Sequence, residues 1–131
     1  MRLVDVSRLD EVRASLEASR FEVVEVLVDG EASERVFAAK VLSALGLWDR
    51  LEAPWALFSD RLWDFCSDDG EPLVVLFPNF DRWLSSDLSR AFKCMYGVVS
   101  VFDSIASDVE IPSRRVEYVF FADWKNYSHG V

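Results

Sequence analysis

Apolar positions recur along the chain with two periods, and the switches between them mark out elements. In residues 7–19, Leu9, Val12 and Leu16 share one face of a predicted helix, with Ser7 as a candidate cap. Residues 21–28, FEVVEVLV, are rich in Val and partly alternate with Glu, so they predict a strand, ended by the turn signal Asp29-Gly30. Residues 32–45 predict a helix that gathers Val36, Phe37, Val41, Leu42 and Leu45 on one side and stops at Gly46. The stretch 47–58 has no clear period but carries Trp48, Trp55 and Phe58 around Pro54; a short helix is predicted over 59–66.

After a polar turn, SDDGE, residues 72–78 form the unbroken apolar run PLVVLFP, the pattern of a strand buried on both faces. A helical turn is predicted at 80–84 and a long helix at 87–106. The long helix has a stripe of Leu88, Phe92, Met95, Val99, Phe102 and Ala106, with Gly97 inside it as a point of close packing or mild bending. Residues 115–122, RVEYVFFA, predict a last strand, and the tail after Trp124 reads as loose. Strands separated by helices run mostly parallel. The expected fold is therefore a single α/β domain with about three parallel strands packed with helices. Residues 1–20 are a helical extension to it, 21–124 its body and 125–131 its tail.

The chain's 131 residues suit one domain, and 51% apolar against 28% charged residues is a globular composition. Fourteen bases against 23 acids give a net charge of −9. Arg114-Arg115 is the only adjacent basic pair, so nucleic acid and membrane surfaces are not expected as partners, and a basic protein is. The N-terminal residues lack the apolar core of a signal peptide, and Cys66 and Cys94 read as two buried, reduced thiols, so a cytoplasmic location is expected. Neither C-x-x-C spacing, a Gly-rich phosphate loop nor calcium-loop spacing occurs, so no metal, cofactor or small-molecule substrate is expected. The single histidine, His129, lies in the tail and neither cysteine has a base nearby in sequence; the chain does not read as an enzyme.

Charge is concentrated. From Glu52 to Glu71 there are six acids and one base, Arg61, so this window carries −5 of the −9. Rotated at about 100° per residue, Leu62, Phe65 and Cys66 fall on one face of the short helix, and Asp60, Trp63 and Asp64 on the other. Like charges at i and i+4 cost a helix a few tenths of a kcal/mol. An aromatic anchor between two carboxylates is, however, the chemistry that recognises arginine on a partner. The same pattern also reads as a plain solvated face with a half-buried Trp. Asp68, Asp69 and Glu71 continue the acidic surface.

Around this helix the chain resembles the barstar family, intracellular inhibitors of barnase-type ribonucleases. The resemblance is carried by Asp60-Arg61-Leu62-Trp63-Asp64, which follows the family's D-x-L-W-D pattern. Val28-Asp29-Gly30-Glu31, Leu45-Gly46, Pro72-Leu73-Val74-Val75-Leu76 with Phe80, Val101-Phe102 and the last strand stand around it in the family's order, over residues 21–123. The resemblance implies a three-stranded parallel sheet and an acidic helix that enters a ribonuclease active site. By position, Asp64 would face the cations that bind the RNA phosphate, with Asp60 and Trp63 beside it. Trp55 would sit in the binding loop, Asp68 would extend the acidic surface, and Asp103 would lie near the family's acidic position on the later helix. A barstar-like regulatory or interaction module with a partner other than a nuclease is the alternative.

Overall fold

Four parallel strands form one sheet in the order β1-β4-β3-β2: β1 (Arg2–Asp5), β2 (Glu22–Glu25), β3 (Leu73–Phe77) and β4 (Val116–Ala122). Five α-helices pack on it: α1 (Leu9–Glu17), α2 (Glu34–Ala44), α3 (Trp55–Cys66), α4 (Asp81–Ser86) and α5 (Leu88–Ala106). These come from a computed structural model, which describes residues 1–67, 70–107 and 114–127. The single α/β domain with a parallel sheet is as the sequence predicts, but with four strands where about three were expected. The added strand is β1, in the segment expected to be only a helical extension. Its four residues are too few to show a period of two, yet Arg2, Leu3, Val4 and Asp5 pair with Val119 through Ala122.

Alternation along β3 and β4 sorts the chain into two layers of unequal thickness. Leu73, Val75 and Phe77 join Tyr118, Phe120 and Ala122 in one large core with α2 to α5. Phe77 and Phe120 stack there, centroids 4.2 Å apart and nearly parallel, and Phe37, Phe80 and Trp83 surround them. Val74, Leu76, Val119 and Phe121 face the other way and meet only Val4 and the half-buried Leu9, Val12 and Leu16 of α1. α1 connects β1 to β2, the two opposite edges of the sheet, and is the α-helix on that face among the described residues.

Several local expectations hold in the structure and others shift. Gly30 and Gly46 both have positive φ, 61° and 76°, the backbone a turn and a helix stop require. Ser33 caps α2 by accepting the Val36 N–H. At the first helix the cap is not Ser7: Asp5 accepts the Ser7 N–H at 2.9 Å, and a single 3-10 turn, Val6–Arg8, precedes α1. Within the described residues the chain is held as far as Tyr127. The Trp124 indole N–H reaches the Val4 carbonyl at 3.0 Å, and the Tyr127 hydroxyl donates to Asp81 at 2.7 Å. His129 lies outside the described residues.

Candidate partner-binding site

α3 begins at Trp55, earlier than the predicted 59. Pro54 sits immediately before its first turn with φ −62°, where its missing N–H costs nothing, and its carbonyl accepts the Phe58 N–H. The earlier start adds a turn to the apolar stripe. Phe58, Leu62 and Cys66, each four residues apart, are the fully buried line of α3. Phe65, expected on that face, is half-buried instead and lies under the Arg114 guanidinium at 4.9 Å. Arg114 is held in turn by the Glu71 carbonyl and the Glu22 carboxylate, both at 2.7 Å. That clamp ties the C-terminal end of α3 to the sheet.

Asp60 and Asp64 stand exposed on the opposite side of α3, as the helix rotation predicts. Trp63 is half-buried and packs against the large core, as the reading of a solvated face with a half-buried Trp has it, so only part of its ring is offered to a partner. Trp55 is likewise half-buried. Its ring lies 4.9 Å from Phe58 and covers Gly97 of α5, where a Cβ would come within 3.1 Å of the indole. Gly97 thus permits close packing, as its place in the long helix suggested, and Trp55 serves to seat the N-terminal end of α3.

The loop between α2 and α3 is pinned as well. The Trp48 indole N–H donates to the Glu52 carbonyl, Arg50 covers the Trp48 ring, and the Ala53 N–H donates to the Arg35 carbonyl. Leu51, at the loop tip, is 88% exposed, an apolar side chain in open water beside the acidic helix. Sequence reasoning passed over it because a lone Leu in an aperiodic stretch carries no pattern.

Asp103 sits on α5 across a cleft of about 270 Å³ that it shares with Cys66, Arg114 and Tyr118. It is therefore at the C-terminal end of α3, and it is engaged: the Tyr118 hydroxyl donates to its Oδ1. Burial, then that bond to a carboxylate, pushes the Tyr118 pKa up. Tyr118 was not among the candidate residues, although strand alternation places it with Phe120 on the helix-covered face. Asp68 lies outside the described residues.

The α3 surface carries acids that are not ion-paired among the described residues, as Glu17, Glu31 and Asp49 elsewhere also are not. Glu22, Glu25, Asp29, Glu34 and Glu117 each meet a cation within 4 Å. Glu52, Asp60, Asp64 and Glu71 have no ion-pair partner among the described residues, even with Arg61 on the same helix. Cys66, beneath them, is a free buried thiol whose pKa burial raises to about 11, against a weaker lowering by Arg114. It is no nucleophile at neutral pH. Among the described residues no three His, Cys, Asp or Glu side chains converge as a metal site, and no helix is long and apolar enough to cross a membrane.

Comparison with protein-family models, with curated proteins and with solved structures finds no match to this chain.

Proposed function

We propose that the protein is a cytoplasmic, barstar-like inhibitor that binds a basic ribonuclease and blocks its active site with α3. The observation that carries this reading is the uncompensated charge of Asp60 and Asp64 on a helix whose other side is fixed in the core by Phe58, Leu62 and Cys66. Carboxylates with no cation partner among the described residues are available to guanidinium and ammonium groups of another chain. A rigid helix presents them at low entropic cost. Trp63 supplies a partly exposed aromatic edge between them, and Leu51 an apolar contact at the loop tip.

In this mechanism the carboxylates take the place of RNA phosphates among the nuclease's cationic groups. Substrate and inhibitor then compete for one site. Opposite net charge steers the encounter, so association slows as salt screens it. Asp103, which accepts the Tyr118 hydroxyl near the C-terminal end of α3, adds negative charge at that end.

The test uses barnase as the probe nuclease, with cleavage of a fluorogenic RNA substrate as the readout. The native chain is expected to abolish cleavage at a one-to-one ratio, and the double variant Asp60→Asn, Asp64→Asn to restore it. Undiminished cleavage with the native chain, or full inhibition by the double variant, overturns the proposal.

A further inference from the structure

The thinly covered face of the sheet holds the second feature of interest. α1 has no buried residue. It is fastened on the β2 side, where Arg13 grips Glu25 at 2.5 Å and 2.9 Å. Between helix and sheet a trough of about 310 Å³ lies open over β1, β4 and β3, and Phe21 and Pro72 also line it. Its floor is Val4, Val74 and Val119, and Val12 and Leu16 form its helical wall. That volume is at the small end of ligand sites, and apolar walls with a few placed charges are their usual lining.

The charges are arginines that are distant in sequence. Arg2 and Arg8 come from the N-terminal segment and Arg115 from just before β4. Against them the trough has one acid, Glu117, so its lining carries +2 in a chain of net −9. Arg2 meets Glu117 at 3.5 Å and Arg8 meets Glu11 at 3.3 Å. Arg115 has no ion-pair partner among the described residues. Its neighbour Arg114, by contrast, is clamped between Glu22 and Glu71. A guanidinium unpaired among the described residues, at the end of an apolar trough, calls for an anion with an apolar tail. From Arg115 to Val119 is four strand residues, ~13 Å at about 3.3 Å each, room for an extended medium-length chain along the floor.

We infer that this trough binds a small amphipathic anion, a medium-chain carboxylate, with its head on Arg115 and its tail over Val74 and Val119 beneath Val12. The site is separate from the acidic face of α3 and does not depend on the function proposed for that face.

Decanoate, below its micelle concentration, is the probe, titrated into the full chain by calorimetry and followed by amide NMR. Saturation of one site is expected, with shifts centred on Val4, Val12, Leu16 and Val119. Decyltrimethylammonium, which has the same tail and the opposite charge, is expected not to saturate. Arg115→Gln removes a charge-assisted bond and weakens decanoate at least about tenfold. Val12→Phe, at a half-buried helix position, narrows the trough and weakens it similarly while cooperative unfolding persists. Equal binding of the cationic amphiphile, shifts centred elsewhere, or undiminished binding by either variant overturns the inference. So does co-sedimentation with phosphatidylglycerol vesicles in place of one-site binding, since that outcome assigns the arginines to a lipid surface.

Discussion

The two faces of the sheet are built from the same two strands, residue by residue in alternation, yet they differ in almost every physical respect. One face carries four helices and a core with stacked Phe77 and Phe120 at its centre. Among the described residues the other carries α1 over four buried side chains. The thick face spends its packing on fixing α3, whose outward carboxylates lack ion-pair partners among the described residues. The thin face leaves helix and sheet incompletely joined, and arginines collect at the opening. The molecule thus presents exposed acids of α3 on one side and an arginine-lined trough on the other. Its bulk charge of −9 describes neither.

This contrast can be broken by substitution. Phe120→Ala on the thick face is expected to cost ~3–5 kcal/mol, because the stacked ring leaves a cavity among packed aromatics. Its neighbour Val119→Ala, on the thin face, should cost only about 1–2 kcal/mol. Urea unfolding of both variants checks the pair, and equal losses would show the faces to be equally packed. Gly97→Val pushes a branched side chain into the Trp55 ring and should cost about 1–3 kcal/mol through overpacking. It should also shift the tryptophan fluorescence. An unshifted spectrum would mean that Trp55 does not lean on α5.

A smaller effect comes from the thiols, both on the thick face. Burial holds the pKa of Cys66 and Cys94 at about 11 against the ordinary 9.0, so folding favours their neutral forms. That contribution is complete below pH 9 and is lost as pH rises toward 11. The urea midpoint should fall over this interval, and less so in a Cys66→Ala, Cys94→Ala variant compared with its own value at pH 7. The smallest expected change is in the stability of Asp60→Asn. It should leave the unfolding midpoint unchanged or raise it by a few tenths of a kcal/mol, since it relieves the repulsion from Asp64. A clear loss of stability would make Asp60 a structural residue.

The element order from β2 onward was readable because each segment is long enough to show its period or is bounded by a turn residue such as Gly30 or Gly46. β1 was not. Four residues at a sheet edge carry too little alternation, and their partners lie more than a hundred residues away along the chain. On α3, Asp60 and Asp64 were correctly placed outward because carboxylates have no alternative to water. Phe65 was misjudged, and Trp63 was left between exposed and half-buried, because the helix was begun at 59. Restoring Trp55 and Phe58 turns the buried line toward Phe58, Leu62 and Cys66 and leaves both aromatics on its flanks. The basic trough could not be read at all, since Arg2, Arg8 and Arg115 meet only after β1 joins β4.

The central claim is that the acidic face of α3, and not the opposite face, engages a ribonuclease. Calorimetric titration of barnase with the native chain, Asp64→Ala and Arg8→Gln tests it most directly. Tight one-to-one binding is expected for the native chain and for Arg8→Gln. A loss of about 2–5 kcal/mol, at least about thirtyfold in affinity, is expected for Asp64→Ala with its fold intact. No binding by the native chain, or the same affinity for Asp64→Ala as for Arg8→Gln, would contradict the account.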